Sequence, residues 1–501
     1  MTEIINRLEP GAVDTVDVEA VNSKERRKLY QARVKVFPKR THGTFRSLKW
    51  WIMAITLGIY YLTPWLRWDR GPYAPDQAVL VDLANRRFYF FFVEIWPQEF
   101  YYIAGLLIMA GVGLFLITST VGRAWCGYTC PQTVWVDLFL VVERWVEGDR
   151  NQRIKLDKAS WSFDKARKFV TKHAIWLLIA MATGGAWIFY FADAPTLALN
   201  FVEGEAPFVA YSTVAVLTAT TYVLAGFMRE QVCTYMCPWP RIQAAMLDED
   251  SLTVTYNDWR GEPRGKLSKK ANADERAVGD CIDCNQCVAV CPMGIDIREG
   301  QQLECITCAL CIDACNGVMD KIGRARGLIS YSTFSEYSRR AAGETVKTTW
   351  RSFVRPRTMV YLALWSLAGI AMLIHLGMRD RLDVNVLHDR NPLHVTLSDG
   401  SIRNGYTVKI LNMQARPRVF TVSLDGLDGA FMQVEAAGAE TLTQEVARVE
   451  VEPDKLRQLR IYVHQPKDAV TGEREDFRFI VRDTDSDEQS TYSAIFYAPE
   501  R

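Results

Sequence analysis

Eight cysteines occur in two short runs that have the same internal spacing. Each run reads C-x2-C-x2-C-x3-C, so three cysteines share a tight loop and the fourth follows on the start of a helix. The runs comprise Cys281, Cys284, Cys287 and Cys291, then Cys305, Cys308, Cys311 and Cys315. Three thiolates of one loop can bind three irons of a [4Fe–4S] cluster, and the fourth cysteine then suits the other cluster.

This crossed arrangement predicts the ligands of two [4Fe–4S] clusters. Cluster 1 is expected to take Cys281, Cys284, Cys287 and Cys315. Cluster 2 is expected to take Cys305, Cys308, Cys311 and Cys291. Disulfide bonds and zinc sites are the alternatives, but eight cysteines at this doubled spacing are typical of neither. The chain is therefore predicted to transfer electrons.

A second set of four cysteines forms two matched pairs, each of the form Cys-x-Tyr-x-Cys-Pro. The set comprises Cys126, Cys130, Cys233 and Cys237. A Cys-x3-Cys pair spans one helical turn, so both sulfurs can face the same way. Soft thiolates select Cu(I), zinc or iron–sulfur clusters over hard cations, and the spacing does not decide among them. The alternative is a pair of buried, inert cysteines beside a helix-stopping proline.

Composition restricts the classes of function. All twelve cysteines belong to these motifs, which favours a reducing compartment on their side of any membrane. The net charge of +1 over 501 residues gives no signature of nucleic-acid binding. The sequence has no nucleotide-binding motif. Six histidines are scattered without haem-ligand spacing, at His42, His173, His375, His388, His394 and His464.

Apolar runs alternate with charged segments, which predicts about five transmembrane helices. A membrane domain over 50–238 is expected to hold four of them, at 50–66, 100–121, 173–192 and 207–228, and the fifth lies at 357–378. The second and fourth helices each end at one of the Cys-x3-Cys-Pro motifs, so these helices form a repeat that can bring the four cysteines together. The segment 132–147 carries Asp137 and Glu143, which predicts an interfacial or re-entrant helix, and 193–206 is expected to be a loop.

The remaining segments are polar. Residues 1–49 form a basic tail, 239–356 a ferredoxin-like domain, and 379–501 a region of short alternating strands typical of a β-sandwich. Lys and Arg concentrate in the tail, in the loop 148–172 and beside the last helix, and are missing from 193–206. The chain is then expected to lie in a bacterial inner membrane. The positive-inside rule places the tail and both clusters in the cytoplasm and the sandwich in the periplasm.

Taken together, these motifs resemble the cytochrome c oxidase accessory protein family, called CcoG, FixG or RdxA. The resemblance covers nearly the whole chain and includes the segment 389–393, which reads Asp-Arg-Asn-Pro-Leu. The implied fold is multi-domain, with a polytopic α-helical membrane domain, a cytoplasmic double-cluster ferredoxin-like segment and a C-terminal Ig-like β-sandwich. One departure from the simplest ferredoxin pattern is Asn316 at a position that often holds proline.

The resemblance also implies a function, namely the reduction of Cu(II) to Cu(I) for assembly of a cbb-type haem–copper cytochrome c oxidase. In that role the clusters supply electrons, and the catalytic, copper-binding thiolates are those of Cys126, Cys130, Cys233 and Cys237. Thiolates stabilise Cu(I) and so favour its formation. The implied partners are the membrane, copper-delivery proteins, the oxidase under assembly and an electron donor that the sequence does not identify. A homodimer is compatible with the sequence.

Two other functions remain open at this point. A quinol dehydrogenase or electron-conduit subunit would need a polar quinol pocket between helices, which the sequence does not reveal. A non-enzymatic assembly scaffold or redox sensor would hold the clusters as structural groups and would show no turnover with copper.

Overall fold

The computed structural model describes residues 13, 15–22, 34–265, 279–346, 353–435 and 442–499. The chain divides into two compact units. The larger is built from residues 1–66, 79–88 and 99–370, and the smaller from 67–78, 89–98 and 371–501. Much of the predicted basic tail lies outside the described residues.

The described residues form thirteen α-helices. In chain order these are α1 (Thr44–Leu62), α2 (Tyr101–Val121), α3 (Pro131–Glu147), α4 (Arg150–Lys158), α5 (Phe163–Ile188), α6 (Ala194–Glu203), α7 (Phe208–Thr221), α8 (Trp239–Met246), α9 (Asp258–Gly261), α10 (Gln286–Ala289), α11 (Leu310–Ile322), α12 (Phe334–Ala341) and α13 (Pro356–Met378).

Four helical segments of the described chain are long and apolar enough to cross a membrane: Pro97–Val121, Phe163–Ile188, Phe208–Met228 and Pro356–Met378. At most 33% of the residues in their most apolar windows are buried, so these segments present an apolar surface outward, as lipid requires. The predicted span 50–66 covers most of α1 and the 3-10 turn Thr63–Trp65 that follows it, and the first turns of α1 carry the buried charges Arg46 and Lys49. The predicted number of about five spans is therefore approximate.

Two helices differ from the expectation, and a third agrees with it. The third span begins at Phe163, ten residues earlier than predicted, because the Ser162 hydroxyl caps it by accepting from the Lys165 N–H at 3.3 Å. The segment 193–206 was wrongly expected to be a loop. It contains α6, capped by the Asp193 carboxylate, which accepts from the Thr196 N–H at 3.2 Å. The segment 132–147 is helical, as predicted, and forms most of α3.

Strands fall into three regions. Three short ones, β1 (Val79–Asp82), β2 (Arg87–Phe90) and β3 (Val93–Ile95), lie between α1 and α2 in the sequence. In the ferredoxin-like region, β4 (Thr253–Tyr256) pairs antiparallel with β5 (Ile329–Ser332). This ribbon packs with the two cysteine loops around a shared core that includes Val254, Leu328 and Ile329.

The described residues of the C-terminal region form ten strands: β6 (Leu382–His388), β7 (Val395–Thr396), β8 (Ile402–Asn412), β9 (Arg418–Asp425), β10 (Phe431–Glu435), β11 (Leu442–Gln444), β12 (Val446–Val451), β13 (Leu456–Gln465), β14 (Arg474–Asp483) and β15 (Gln489–Tyr497). They form one sheet in the order β11-β10-β13-β8-β6, with β7 beside β8, and a second in the order β12-β9-β14-β15. Alternate residues such as Val408, Phe420 and Phe479 are fully buried in one core. The predicted β-sandwich is confirmed.

Arg418 and Asp483 form an ion pair in this core, with 2.7 Å between Nη2 and the carboxylate and side-chain exposures of 1% and 0%. We expect Arg418→Met to destabilise the sandwich by about 3–5 kcal/mol, because it leaves the Asp483 carboxylate buried with hydrogen bonds from Ser486 and the Asp485 N–H but without its cation. The control is Arg478→Met, which removes an ion pair to Asp425 whose members are 61% and 45% exposed. That change should cost about 0–1 kcal/mol.

Hydrogen exchange of the full chain measures both effects. The amides of β9 and β14 should exchange much faster in the Arg418 variant and at the parent rate in the Arg478 variant. Equal exchange in the two variants would contradict the importance of the buried pair.

Candidate metal centres

The two cysteine loops have the same unusual backbone. In the first ferredoxin loop, 281–287, Asp283 and Asn285 have φ of 51° and 54°. In the second ferredoxin loop, 305–311, the equivalent residues Thr307 and Ala309 have φ of 51° and 60°. Each left-handed residue that is not glycine costs on the order of 1–3 kcal/mol. The repetition of this strain at matched positions indicates that both loops are shaped for the same purpose, which is to direct three thiols inward.

The four thiols expected at cluster 1 share one enclosed cavity. Cys281, Cys284 and Cys287 come from the first ferredoxin loop, and Cys315 comes from α11. Burial, together with the neighbouring thiols of Cys284 and Cys281, raises the pKa of the Cys315 thiol to about 12. Iron compensates such buried thiolates, because it replaces the protons that burial would otherwise retain. The donor set therefore fits an iron–sulfur cluster.

The crossed ligand pattern recurs at the second loop. Burial raises the pKa of the Cys291 thiol to about 12, with a further contribution from the nearby thiols of Cys308 and Cys305. Burial also raises the pKa of Cys311, again with Cys308, Cys305 and Cys291 as neighbours. Cys291 thus belongs in space with the second run rather than with its own. The Thr307 N–H donates to the Cys305 sulfur at 3.4 Å, a type of bond that tunes cluster potentials.

Arg298 supports the first ferredoxin loop, and sequence reasoning did not find it. Its side chain is 7% exposed and donates to Asp296 at 2.6 Å. It also donates to Asp283 and Asn285, each at 2.7 Å. Because these last two residues hold the strained backbone, the guanidinium stabilises the loop conformation, and its charge offsets the burial of Cys287. The acidic and amide residues on either side of Cys284 were the signal that could have indicated such a partner.

The Cys-x3-Cys motifs both lie on π-helical turns, Trp125–Thr129 and Val232–Met236. The wider turn is closed by matching hydrogen bonds, from the Cys130 N–H to Trp125 O at 2.9 Å and from the Cys237 N–H to Val232 O at 2.8 Å. In both motifs proline follows and a new helix begins, α3 in one case and α8 in the other. The predicted repeat is therefore present in the backbone, in a form that is rare outside functional sites.

The repeat brings its four thiols together in what we call the four-thiol site: Cys126, Cys130, Cys233 and Cys237. Burial, together with the other three thiols, raises the pKa of Cys233 to about 12. Within the described part of the chain, no three His, Cys, Asp or Glu side chains are already arranged around a single-ion position. A metal ion bound here would therefore have to draw the thiol side chains inward.

The first Cys-x3-Cys turn packs directly on the second ferredoxin loop. A Cβ on Gly127 would stand 2.6 Å from Ile306 O and 3.0 Å from Cys308 Cα, so this position requires glycine. The matched residue of the second motif is Thr234. The need for close contact with the loop explains why the repeat differs here.

Hydrogen bonds strengthen the same contact. The buried Arg123 guanidinium donates to Cys305 O at 3.0 Å, and also to the carbonyls of Leu303 and Pro240. Tyr128 donates to Cys308 O at 3.2 Å. Its counterpart in the second motif, Tyr235, is 49% exposed. The tyrosine of the first motif thus binds the ferredoxin loop, whereas the tyrosine of the second motif is partly exposed.

One further partner of the four-thiol site escaped the sequence reasoning. The Cys126 thiol donates to Gln243 Oε1 at 3.1 Å, and the Gln243 side chain is fully buried on α8. The Gln243 amide in turn donates to the Thr118 hydroxyl at 3.3 Å. The sequence gave no signal for the contact between Gln243, which follows the second motif, and Cys126 of the first motif.

Comparisons with known families agree with this geometry. Residues 228–334 match a 4Fe-4S dicluster domain, and 103–147 match a 4Fe-4S binding domain. Residues 372–499 match the IG-like fold at the C-terminus of FixG. Ferredoxin loops together with long apolar helices define a membrane iron–sulfur electron-transfer protein with redox activity.

Relatives identify the family more closely. The chain is 59% identical to the nitrogen fixation protein FixG of Rhizobium meliloti, over 98% of both chains. It is 56% identical to protein RdxB and 53% identical to protein RdxA of Cereibacter sphaeroides, in each case over 93% of this chain and 97% of the relative. The chain belongs to the FixG/RdxA family, which confirms the resemblance.

The contact at Gly127 yields a test. We expect Gly127→Ala to reduce the iron and acid-labile sulfide content of the purified protein, because overpacking against the backbone of the second ferredoxin loop costs about 1–3 kcal/mol. Gly111→Ala on α2 is the control, since no atom lies within 4 Å of its added Cβ. The proposed contact would be wrong if both variants retained the parent content.

Proposed function

We propose that this membrane iron–sulfur protein reduces Cu(II) to Cu(I) at the four-thiol site, for assembly of a cbb-type haem–copper cytochrome c oxidase. The observation that supports this best is the packing of that site on the second ferredoxin loop. Cys126 and Cys233 contact the same buried cluster of side chains as Cys291, Cys305 and Cys308. An electron at cluster 2 would therefore be separated from copper at the four-thiol site by a few packed residues.

The ligand assignment is part of the proposal. Cluster 1 would be held by Cys281, Cys284, Cys287 and Cys315, and cluster 2 by Cys305, Cys308, Cys311 and Cys291. When bound, the clusters supply single electrons at potentials set by hydrogen bonds and burial. The residues of the chain supply the rest: the N–H of Thr307 and the cations of Arg298 and Arg123 lie at or near the cluster thiols and favour the reduced, more negative state.

The chemistry of the four-thiol site suits the product. Reduction of Cu(II) needs one electron and no proton, and soft thiolates bind Cu(I) in preference to hard cations. Copper binding releases the protons that burial holds on Cys126 and Cys233, so affinity should rise with pH. An iron–sulfur cluster is the competing occupant, because the match to a 4Fe-4S binding domain includes Cys126 and Cys130.

We further propose the orientation and partners given by the sequence. The protein lies in a bacterial inner membrane, with the clusters on the cytoplasmic side and the β-sandwich on the periplasmic side. Copper-delivery proteins and the oxidase under assembly are the partners, and a homodimer is one of the assemblies to be examined.

Metal analysis of single cysteine variants tests the division of roles. Cys126→Ala and Cys233→Ala should keep the cluster absorbance while they lower copper binding and Cu(II) reduction. Cys284→Ala and Cys308→Ala should abolish reduction of Cu(II) by dithionite-treated protein and largely keep copper binding. Loss of iron from the Cys126 and Cys233 variants would assign the four thiols to a third cluster, and a parent protein that never turns over Cu(II) would favour the scaffold or sensor.

Reporter fusions test the orientation. A reporter active only in the periplasm should be active when it is fused after the last residue and silent when it is fused near residue 270. The reverse pattern would show that the membrane domain is inverted.

A further inference from the structure

A cavity of about 310 Å³ lies at the N-terminal end of α5. Its walls come from residues 35–37, α3, α4, α5 and the π-helical turn Tyr222–Met228, which ends the third of the four apolar segments. The volume falls at the lower end of the range for small-molecule sites in proteins, roughly 300–1,000 Å³. None of the twelve cysteines lines it, so it is distinct from the metal centres.

Aromatic rings form one wall of the cavity. The imidazole of His173 lies 4.1 Å from the Phe169 ring centroid and 5.7 Å from that of Phe227, with an interplanar angle of 18° to the latter. Trp176 meets the imidazole edge-on at 5.1 Å. Flat rings held in this way offer stacking surfaces for a planar aromatic ligand.

Polar groups beside this wall remain available to a ligand. His173 Nδ1 lies 2.8 Å from the Tyr222 hydroxyl, and within the described residues Nε2 has no hydrogen-bond partner. Arg153 is 2% exposed. It is ion-paired with Glu143, and its Nε lies 3.7 Å from a carboxylate oxygen of Glu147, whereas its Nη1 makes no hydrogen bond in the described part of the chain. A buried guanidinium with an unused donor calls for an acceptor, such as a hydroxyl or carbonyl oxygen of a ligand.

Apolar side chains are exposed where α5 begins, and the cavity itself is also lined by the charged side chains of Lys35, Asp157, Lys165 and Lys172. Phe163 and Val170, on the first turns of α5, are 87% and 64% exposed, and Trp161 just before them is 71% exposed. These residues begin one of the four segments that can cross a membrane. Exposed aromatic side chains at such a position suit the membrane interface, so a lipid-soluble ligand can reach the cavity from the bilayer.

The cavity adjoins the four-thiol site through Arg229. This residue lines the cavity, donates from Nε to Gly226 O at 2.8 Å and pairs with Glu143. Its carbonyl accepts from the Val232 N–H at 3.2 Å, at the start of the turn that carries Cys233. Its φ of 42° is left-handed, a strain that the surrounding contacts hold in place.

We propose that this cavity binds a membrane quinol, which serves as the electron donor of the protein. This inference rests on the proposed function and supplies the reductant which that function requires. The quinol loses two electrons and two protons and becomes the quinone. Its two electrons would pass, one to each, to the [4Fe–4S] clusters that the two ferredoxin loops would hold, and the protons would leave one after the other through His173 Nε2 to water.

The binding step is tested by photolabelling of the full-length protein in detergent with a photoreactive short-tailed quinone. Label should appear in peptides covering 163–176 or 222–229 and should be displaced by unlabelled quinone. Label that is not displaced, that lies elsewhere, or that is displaced by an anionic phospholipid and not by quinone would overturn the proposal.

Electron transfer is tested by adding a short-tailed quinol without copper and following the loss of cluster absorbance. His173→Phe keeps the aromatic packing and should slow this reaction by about 10²-fold, the effect of losing a general base. Tyr222→Phe should slow it less. The control is His375→Phe, because His375 lies on α13, is exposed and does not line the cavity. A parent rate in the His173 variant would exclude the imidazole as the proton acceptor.

Dithionite separates this inference from the proposed function. The dithionite-reduced His173 variant should reduce Cu(II) at the parent rate, since its clusters and thiols are unchanged. If quinol reduces the clusters but reduced clusters do not reduce Cu(II), the cavity assignment stands and the copper proposal fails.

Discussion

The arrangement of the four-thiol site beside the second ferredoxin loop depends on the close contact between that loop and the first Cys-x3-Cys turn. Without a side chain at Gly127, the π-helical turn can approach the peptide groups around Cys308. Buried carbonyls in such a contact must be hydrogen-bonded, and Arg123 and Tyr128 meet that requirement. The same contact fixes the separation of the two metal centres, which electron transfer between them requires to be short and constant.

Charges buried around α3 determine how the membrane helices meet. Asp137 pairs with Arg46 at 2.9 Å, and Glu143 pairs with both Arg229 and Arg153. A buried ion pair adds little net stability, because desolvation offsets most of the attraction, but breaking one is costly. These ion pairs therefore contribute mainly to the positions of the helices. The Arg229–Glu143 pair fixes the position of the turn before Cys233. The second motif is thus positioned by an ion pair, and the first by its backbone contact with the ferredoxin loop.

The accuracy of the sequence predictions depends on how local each signal is. The cluster loops, the strands of the sandwich and the apolar segments were predictable because spacing and periodicity reside in neighbouring residues. Arg298 could not be assigned, since its partners become neighbours only in the fold. The boundary of the span predicted at 50–66 was harder to assign. Lys49, just before it, is buried beside Asp137 of α3, and sequence periodicity does not indicate such a contact. The cavity proposed to bind quinol is lined by several separate segments of the chain, so no contiguous motif marked it in the sequence.

The two Cys-x3-Cys motifs have the same backbone conformation but different neighbours. The four-thiol site therefore has one side toward the proposed quinol cavity and another toward cluster 2. The second motif adjoins the proposed quinol cavity through Arg229, whereas the first adjoins cluster 2 through Gly127. A quinol delivers electrons in pairs, but Cu(II) accepts one at a time. Under the two proposals, clusters that each took one electron could store the second until another copper ion arrived. A pair of clusters beside one thiol site would therefore suit a two-electron donor and a one-electron acceptor.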